Sequence, residues 1–304
     1  MKFNQIEIFC KIVELGSFSR AAEASHLSQP TLTEHIKALE DYLGITLLDR
    51  LGREVVPTKA GDVLYDYAQK ILRLKRETEQ ALWSLKGVLK GDLTVGASTI
   101  PGEYILPNLM KSFKDNFPDI FITLEISDTK KVINDILSNR IEVGIVGAIV
   151  ENVKLEYRKF VKDELVLVVP PVAPWKKLKS ITVEELKEIP FLVREEGSGT
   201  RMAMERCLSE HQLDIDSLNI IMRLGSTTAV IQAIKSGVGG SVLSRRAVKE
   251  DLTKGFLHTL SIEKTKIFRD FYIVLRRGRS RSPLCEVFLK FIIEKSKTEV
   301  LLAR

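Results

Sequence analysis

From residue 60 to residue 88 the chain carries one unbroken heptad ladder: Ala60, Leu64, Tyr67, Ile71, Leu74, Thr78, Ala81, Leu85 and Val88, in steps that alternate four and three. A strict seven-residue repeat keeps one apolar seam facing a partner helix, so a dimerising coiled-coil helix is expected here. From a cap at Thr58 to Leu89 it would span about 48 Å. Such a helix is poorly supported alone in water, and the seam residues Leu64, Tyr67, Ile71, Leu74, Ala81 and Leu85 are expected to pack on a second copy.

The residues before the ladder read as a compact helical head. Ile6, Phe9, Cys10 and Val13 recur at helical spacing and Gly16 ends that helix. Ser17 or Ser19 can cap a second helix, whose Ala21-Ala22 pair permits a close crossing. Ser28 can cap a third, with Pro30 tolerated in its first turn, Leu32, Ile36, Leu39 and Leu43 facing inward, and Gly44 closing it. Two short helices with so tight a connection make a helix-turn-helix. The third helix presents Ser28, Gln29, Pro30, Thr31, Thr33, Glu34 and Lys37. Amide and hydroxyl side chains can meet base edges, Pro30 a thymine methyl, and Lys37 a phosphate. Such a face alone is equally a solvated surface. The sequence beyond it favours DNA: Thr46-Leu47-Leu48 and Glu54-Val55-Val56 are expected as strands of a wing around Leu51-Gly52-Arg53. Arg50 and Arg53 flank its turn, placed for phosphate or the minor groove. Two winged heads on a dimerising stalk would match a dyad-symmetric site in double-stranded DNA.

The net charge of +6 fits a polyanionic partner, but its placement does not single out the head. Residues 1–90 hold 13 Lys and Arg against 12 Asp and Glu, whereas residues 264–304 hold 11 against 4. No apolar run reaches about 18 residues and the N-terminus lacks the apolar core of an export signal, so a cytoplasmic, nucleoid-associated protein with no membrane partner is expected. Cys10, Cys207 and Cys285 fit no disulfide framework or zinc spacing, and His26, His35, His211 and His258 show no metal pattern. Gly197-Ser198-Gly199 is preceded by Glu196, which breaks the hydrolase Gly-x-Ser-x-Gly pattern, and no phosphate-binding Gly-Lys-Ser/Thr loop occurs. No catalytic activity, metal or cofactor is expected.

From Gly91 onward, apolar strands alternate with helices: strands at Leu93–Ala97, Phe121–Ile126 and Val143–Gly147, then at Glu164–Val169, Phe191–Arg194, Ile220–Leu224, Gly240–Leu243 and Phe271–Leu275. This rhythm predicts parallel α/β sheets. Ligands in such sheets bind beyond the strand ends, beside helix N-termini. Three hydroxyl-rich segments occupy such places: Ser98-Thr99 through Glu103, Gly197-Ser198-Gly199-Thr200-Arg201, and Ser226-Thr227-Thr228. Singly, each is explained as an ordinary cap. Together they predict a site of Ser98, Thr99, Gly147, Gly197, Ser198, Gly199, Thr200 and Thr227, with Arg201 adding charge if it faces the cleft. The acidic Glu103, Glu195 and Glu196 oppose a bare multivalent anion unless they point away.

Several strings closely resemble the LysR-type transcriptional regulators: Ser17-Phe18-Ser19-Arg20-Ala21-Ala22-Glu23, Leu27-Ser28-Gln29-Pro30, Ile36-Lys37-Ala38-Leu39-Glu40, Leu43-Gly44, and Leu48-Asp49-Arg50 with Pro57-Thr58-Lys59-Ala60-Gly61. Leu48 stands where that family often has Phe, and Glu34 where a basic or amide residue is common. The resemblance implies a winged helix-turn-helix (1–58), a linker and dimerisation helix (59–90), and a two-lobed α/β effector domain like a periplasmic solute-binding protein (91–304). Lobe I would comprise about 91–161 and 266–304, and lobe II about 162–265, with hinges near Phe160–Lys162 and Thr265–Arg269. It also implies a tetramer built as a dimer of dimers on bent DNA, an effector between the lobes, and RNA polymerase as a further partner. Gly96 to Tyr104 and Arg194 to Arg201 resemble a subgroup regulating sulfur and selenium metabolism and carbon fixation. That implies a small anionic effector, such as a sulfur or selenium oxyanion or a phosphorylated metabolite. The alternative is a solute-binding protein of a transport system, which would leave the head and stalk without a role.

Overall fold

The computed structural model describes residues 1–52 and 54–302, with side chains at all of these except 84 and 298–302. The chain forms two compact units, Met1–Val88 and Leu89–Arg304.

In the first unit, α1 (Phe3–Leu15), α2 (Phe18–Ser25) and α3 (Gln29–Leu43) close around Phe9, Ile12, Leu32 and Leu39, all fully buried. The helix ends follow from local chemistry. Of the two candidate caps, it is Ser17 that accepts from the Arg20 N–H, while Ser28 accepts from the Thr31 N–H. Gly16 and Gly44 stop α1 and α3 in the left-handed region. The wing is β1 (Leu48–Leu51) paired antiparallel with β2 (Glu54–Pro57). Its first strand begins later than the expected Thr46. The Glu40 carboxylate accepts from the Leu47 and Leu48 N–H groups, at 2.7 and 3.4 Å, and the Leu47 carbonyl accepts from the Thr58 N–H, so this backbone is engaged elsewhere.

The long helix α4 runs from Lys59 to Leu85, about 40 Å. It stops short of Leu89 because Lys86 and Val88 turn back to the Trp83 carbonyl around Gly87, at φ 72°. Its first half belongs to the head. Ala68 and Leu72 are buried in the head core, and Glu14 on α1 accepts from Tyr65 Oη at 3.1 Å and Gln69 Nε2 at 2.9 Å.

The second unit is built on an eight-stranded sheet. β3 (Gly91–Ser98) lies between β4 (Ile120–Ser127) and β5 (Val143–Val146), all parallel. α5 (Leu106–Asn116), entered through a π-helical turn at Pro101–Ile105, α6 (Thr129–Leu137) and α10 (Pro283–Leu302) complete this lobe. Its core centres on Phe113 and Phe288, whose rings meet edge to face at 5.3 Å. The sheet departs from the expected parallel pattern. β12 (Ile267–Arg276) runs antiparallel to β5 and to the fifteen-residue β6 (Leu155–Val169). The reversal arises because β6 leads the chain into the second lobe and β12 brings it back. There β6 also pairs antiparallel with β10 (Ser241–Ser244) and β11 (His258–Ile262), and β11 pairs parallel with the short β7 (Ser180–Ile181). β8 (Phe191–Arg194) pairs parallel with β9 (Ile220–Leu224), and α7 (Gly199–Glu210), α8 (Thr227–Lys235) and α9 (Arg245–Thr253) fill out the lobe.

The crossings between lobes are therefore strand rather than loop. β6 and β12 remain hydrogen-bonded through both lobes, interrupted by one irregularity between Asp270 and Tyr272. Ion pairs engage much of the basic C-terminal stretch: Arg269 with Asp163, Arg279 with Glu142, and Arg281 with Glu156 and Glu286.

Candidate nucleic-acid interface and effector cleft

Around the start of α3 the structure leaves Ser28, Gln29, Pro30, Glu34 and Lys37 exposed, with Thr31 and Thr33 half-buried. Their hydroxyls are partly committed. Ser28 Oγ lies 2.8 Å from Thr31 Oγ1, and Thr33 Oγ1 donates to the Gln29 carbonyl at 3.1 Å. Ser19 Oγ donates to Gln29 Oε1 at 3.2 Å, so α2 steadies the amide. Arg50 is exposed, its guanidinium 4.4 Å above the buried Phe18 ring, which anchors the wing cation against α2. Arg53 lies outside the described residues.

The heptad seam divides. Leu64 and Ile71 pack partly on the core of their own head, whereas Tyr67, Leu74 and Leu85 are 60%, 61% and 85% exposed and Ala81 is exposed. Val63 and Leu82, off the strict repeat, join the exposed strip at 60% and 57%. A wider apolar stripe than the a/d ladder thus faces away from the head.

In the second unit, hydroxyl and basic groups from both lobes meet over a cavity of about 10 Å³, room for about one water. Ser98 and Thr99 arrive at the end of β3, and Ser198, Gly199 and Thr200 at the start of α7. Of the predicted glycines Gly199 lines the cavity, whereas Gly147 and Gly197 do not and pack beside it. A Cβ on Gly199 would lie 3.0 Å from the Gly147 carbonyl carbon and 3.0 Å from Thr129 Oγ1, so a side chain there would push against the facing lobe where glycine lets the two meet closely. Gly197 packs in the same way against Asp128. Ser198 is buried yet makes no capping bond, unlike Ser226, which caps α8. Thr227 does not line the cavity; its hydroxyl accepts from Arg194 Nη1.

Four lining residues escaped the sequence reading: Asp128, Thr129, Arg194 and Arg269. Arg201 does not supply the cleft's charge; its Nε donates to Glu205 at 2.7 Å along its own helix. Arg194, 5% exposed, forks onto Glu195 at 2.7 and 2.6 Å. Burial pushes the Glu195 carboxyl up, but the Arg194 hydrogen bonds and charge outweigh it and hold it below the usual carboxylate range. Burial pulls the Arg269 guanidinium down from its ordinary value, Asp163 opposes this, and Arg194 adds to it by repulsion. Glu103, Glu195 and Glu196 do not line the cavity; Glu196 is exposed and pairs with Arg223. Asp128 does line it, accepting from the Lys131 N–H as the cap of α6. A roomier groove of about 550 Å³ lies on lobe II between β6, β11 and the start of β12, and the charged pair on its lining, Glu164 with Arg245 at the start of α9, is open to solvent rather than buried.

Burial favours the neutral form of all three thiols. Burial pushes Cys10 up to about 12 and raises Cys207 and Cys285 as well. Among the described residues no group of histidine, cysteine and carboxylate side chains could hold a metal, and no helix is long and apolar enough to cross a membrane.

A winged helix-turn-helix on a long helix, joined to a two-lobed domain with a cleft of hydroxyls and guanidinium groups, defines a ligand-responsive regulator of transcription. Residues 3–62 match the family model described as bacterial regulatory helix-turn-helix protein, lysR family, and residues 86–297 match LysR substrate binding domain. The chain belongs to the LysR-type transcriptional regulators, which are DNA-binding regulators with an effector-binding domain. It is 35% identical over 297 residues to a RuBisCO operon transcriptional regulator of Allochromatium vinosum, covering 97% of each chain. Among solved structures it resembles full-length CbnR complexed with its target DNA, at a TM-score of 0.72 and 22% identity, over 97% of this chain and 100% of that one. It also resembles the Synechocystis PCC6803 CcmR regulatory domain in complex with 2-PG, at a TM-score of 0.63 and 27% identity, over 68% of this chain and 98% of that one. Nothing in these comparisons supports the solute-binding protein of a transport system.

Proposed function

We propose that the protein binds a dyad-symmetric operator through two heads joined along α4, with α3 in the major groove and the wing alongside. The cleft then holds a small oxyanion or phosphorylated metabolite that sets the arrangement of the assembled protein on DNA. The observation carrying the effector reading is that two buried guanidinium groups, five hydroxyls and the N-termini of α6 and α7 converge on one cavity. A tetramer, contact with RNA polymerase and residence on the nucleoid follow from the family pattern. Because the cavity is closed to about the size of a water, the lobes must part to admit a ligand and can settle differently around it.

A thermal-shift screen of the purified protein with sulfate, thiosulfate, selenite and 2-PG tests this. A true effector at a hundredfold excess over its Kd stabilises the folded state by about 2.7 kcal/mol, a rise of several degrees in Tm. At that ligand concentration Thr99→Ala or Thr200→Ala is expected to remove most of the shift by weakening binding; a full shift in both variants would move the pocket elsewhere. For the head, Lys37→Ala is expected to weaken binding to every duplex and to reduce the salt slope by about one. Gln29→Ala is expected to relax preference at one base pair, by about 1–3 kcal/mol. Electrophoretic titrations at several salt concentrations read both, and unchanged slopes and preferences would remove α3 from the interface.

A further inference from the structure

The two strands that join the lobes carry opposite charges at facing positions. Asp163 on β6 stands in register with Arg269 on β12, and the pair is 1% and 6% exposed. Arg269 Nε donates to Asp163 Oδ2 at 3.0 Å. Its Nη1 donates instead into the cleft, to Thr200 Oγ1 at 3.1 Å. Nη2 lies 2.9 Å from the same Asp163 oxygen but has no hydrogen-bond partner. The Phe271 ring supports the guanidinium at 4.7 Å. On the far side, Asp163 Oδ1 accepts from Ser244 Oγ at 2.7 Å.

One planar group therefore joins a hinge carboxylate to the effector cavity. Across that cavity Thr129 Oγ1 is fully buried and also lacks a partner. A buried hydroxyl without a partner is unfavourable, and an oxyanion seated in the cavity would relieve it by accepting from Thr129 Oγ1 and from Arg269 Nη1, the guanidinium nitrogen already turned to the cleft. The irregularity between Asp270 and Tyr272 begins one residue after Arg269, where β12 is least constrained by its ladder.

We propose that Arg269 couples effector charge to the hinge. When an oxyanion enters, Nη1 turns from Thr200 to the anion while Nε stays on Asp163 and Nη2 beside it. The electrostatic pull of the ligand then acts directly on the paired strands β6 and β12. This rests on the oxyanion reading given above, and it adds that occupancy without a negative charge at Arg269 leaves the regulator in its ligand-free arrangement.

The test uses the full-length protein, an anion that shifts the wild type in the thermal screen, and footprinting of operator DNA at increasing anion concentration. Arg269→Lys keeps a positive charge but loses the fork that reaches both partners. It is expected to bind the anion at least tenfold more weakly and to leave the footprint unchanged even at saturation. Thr99→Ala, which removes a cleft contact only, is expected to recover the full footprint change once the anion is raised. A complete response of Arg269→Lys at saturation would overturn the coupling while leaving the oxyanion reading intact. A wild type that no anion shifts would overturn both. Should Arg269→Lys fail to fold, Ser244→Ala serves, because Ser244 does not line the cavity. Without its Ser244 bond, Asp163 holds Arg269 more firmly, so the anion concentration for half response should rise several-fold at unchanged ligand-free operator affinity. An unchanged midpoint would overturn the coupling.

Discussion

Replacing Leu74 and Leu85 together with aspartate is expected to leave the protein monomeric and to lower its operator affinity by orders of magnitude. The first half of α4 is held by its own head through Ala68 and Leu72. Beyond it, Leu74, Leu82 and Leu85 are 61%, 57% and 85% exposed, and burial of such side chains is worth about 1.5–3 kcal/mol each. Two leucines lost from each of two chains forfeit about 6–12 kcal/mol of association, before the repulsion of four new carboxylates. A lone head keeps its fold but grips one half-site. Light scattering measures the oligomer and fluorescence anisotropy the affinity. A dimer that survives the double substitution would place the association of the heads on another surface.

Asp163→Ala is expected to cost about 3–5 kcal/mol of stability, because it leaves Arg269 buried without its counterion. The urea midpoint should fall accordingly. The double variant Asp163→Leu with Arg269→Met should recover most of that loss, since an apolar pair of similar volume avoids the desolvation of both charges. It should also be deaf to the effector. A single variant within about 1 kcal/mol of the wild type would show that Arg269 finds another acceptor when Asp163 is gone.

What could be read from the sequence was what short-range chemistry decides. Ser28 caps α3 and Gly44 ends it through bonds made within a few residues, so both were visible as punctuation. The start of β1 was misplaced because Glu40, seven residues before Leu47, takes the N–H groups of Leu47 and Leu48. Strand direction was misjudged at β12, whose orientation depends on the chain returning from the second lobe. In the cleft, Ser98, Thr99 and Thr200 stood out because they follow strands and open helices. Arg269 did not, although a signal was present: it occupies an inward position in the alternation Ile267, Arg269, Phe271, Ile273, all buried. Arg194 likewise ends a strand buried at every residue. A charge where the pattern calls for an apolar side chain marks a group with a partner, but which partner depends on which lobes touch. The wider stripe on α4 was missed because the strict repeat drew the ladder too narrow.

Lobes tethered by loops would swing like a door, with little resistance over a large arc. Here the tether is two long strands bonded to each other across the boundary. Such a ribbon is stiff to splaying and yields most readily by twisting, so it acts as a torsion spring. Ligand-driven motion should accordingly be a small rotation with a firm restoring force, and the ladder amides of residues 162–165, which pair with Ile267–Asp270, should exchange slowly with solvent in both states.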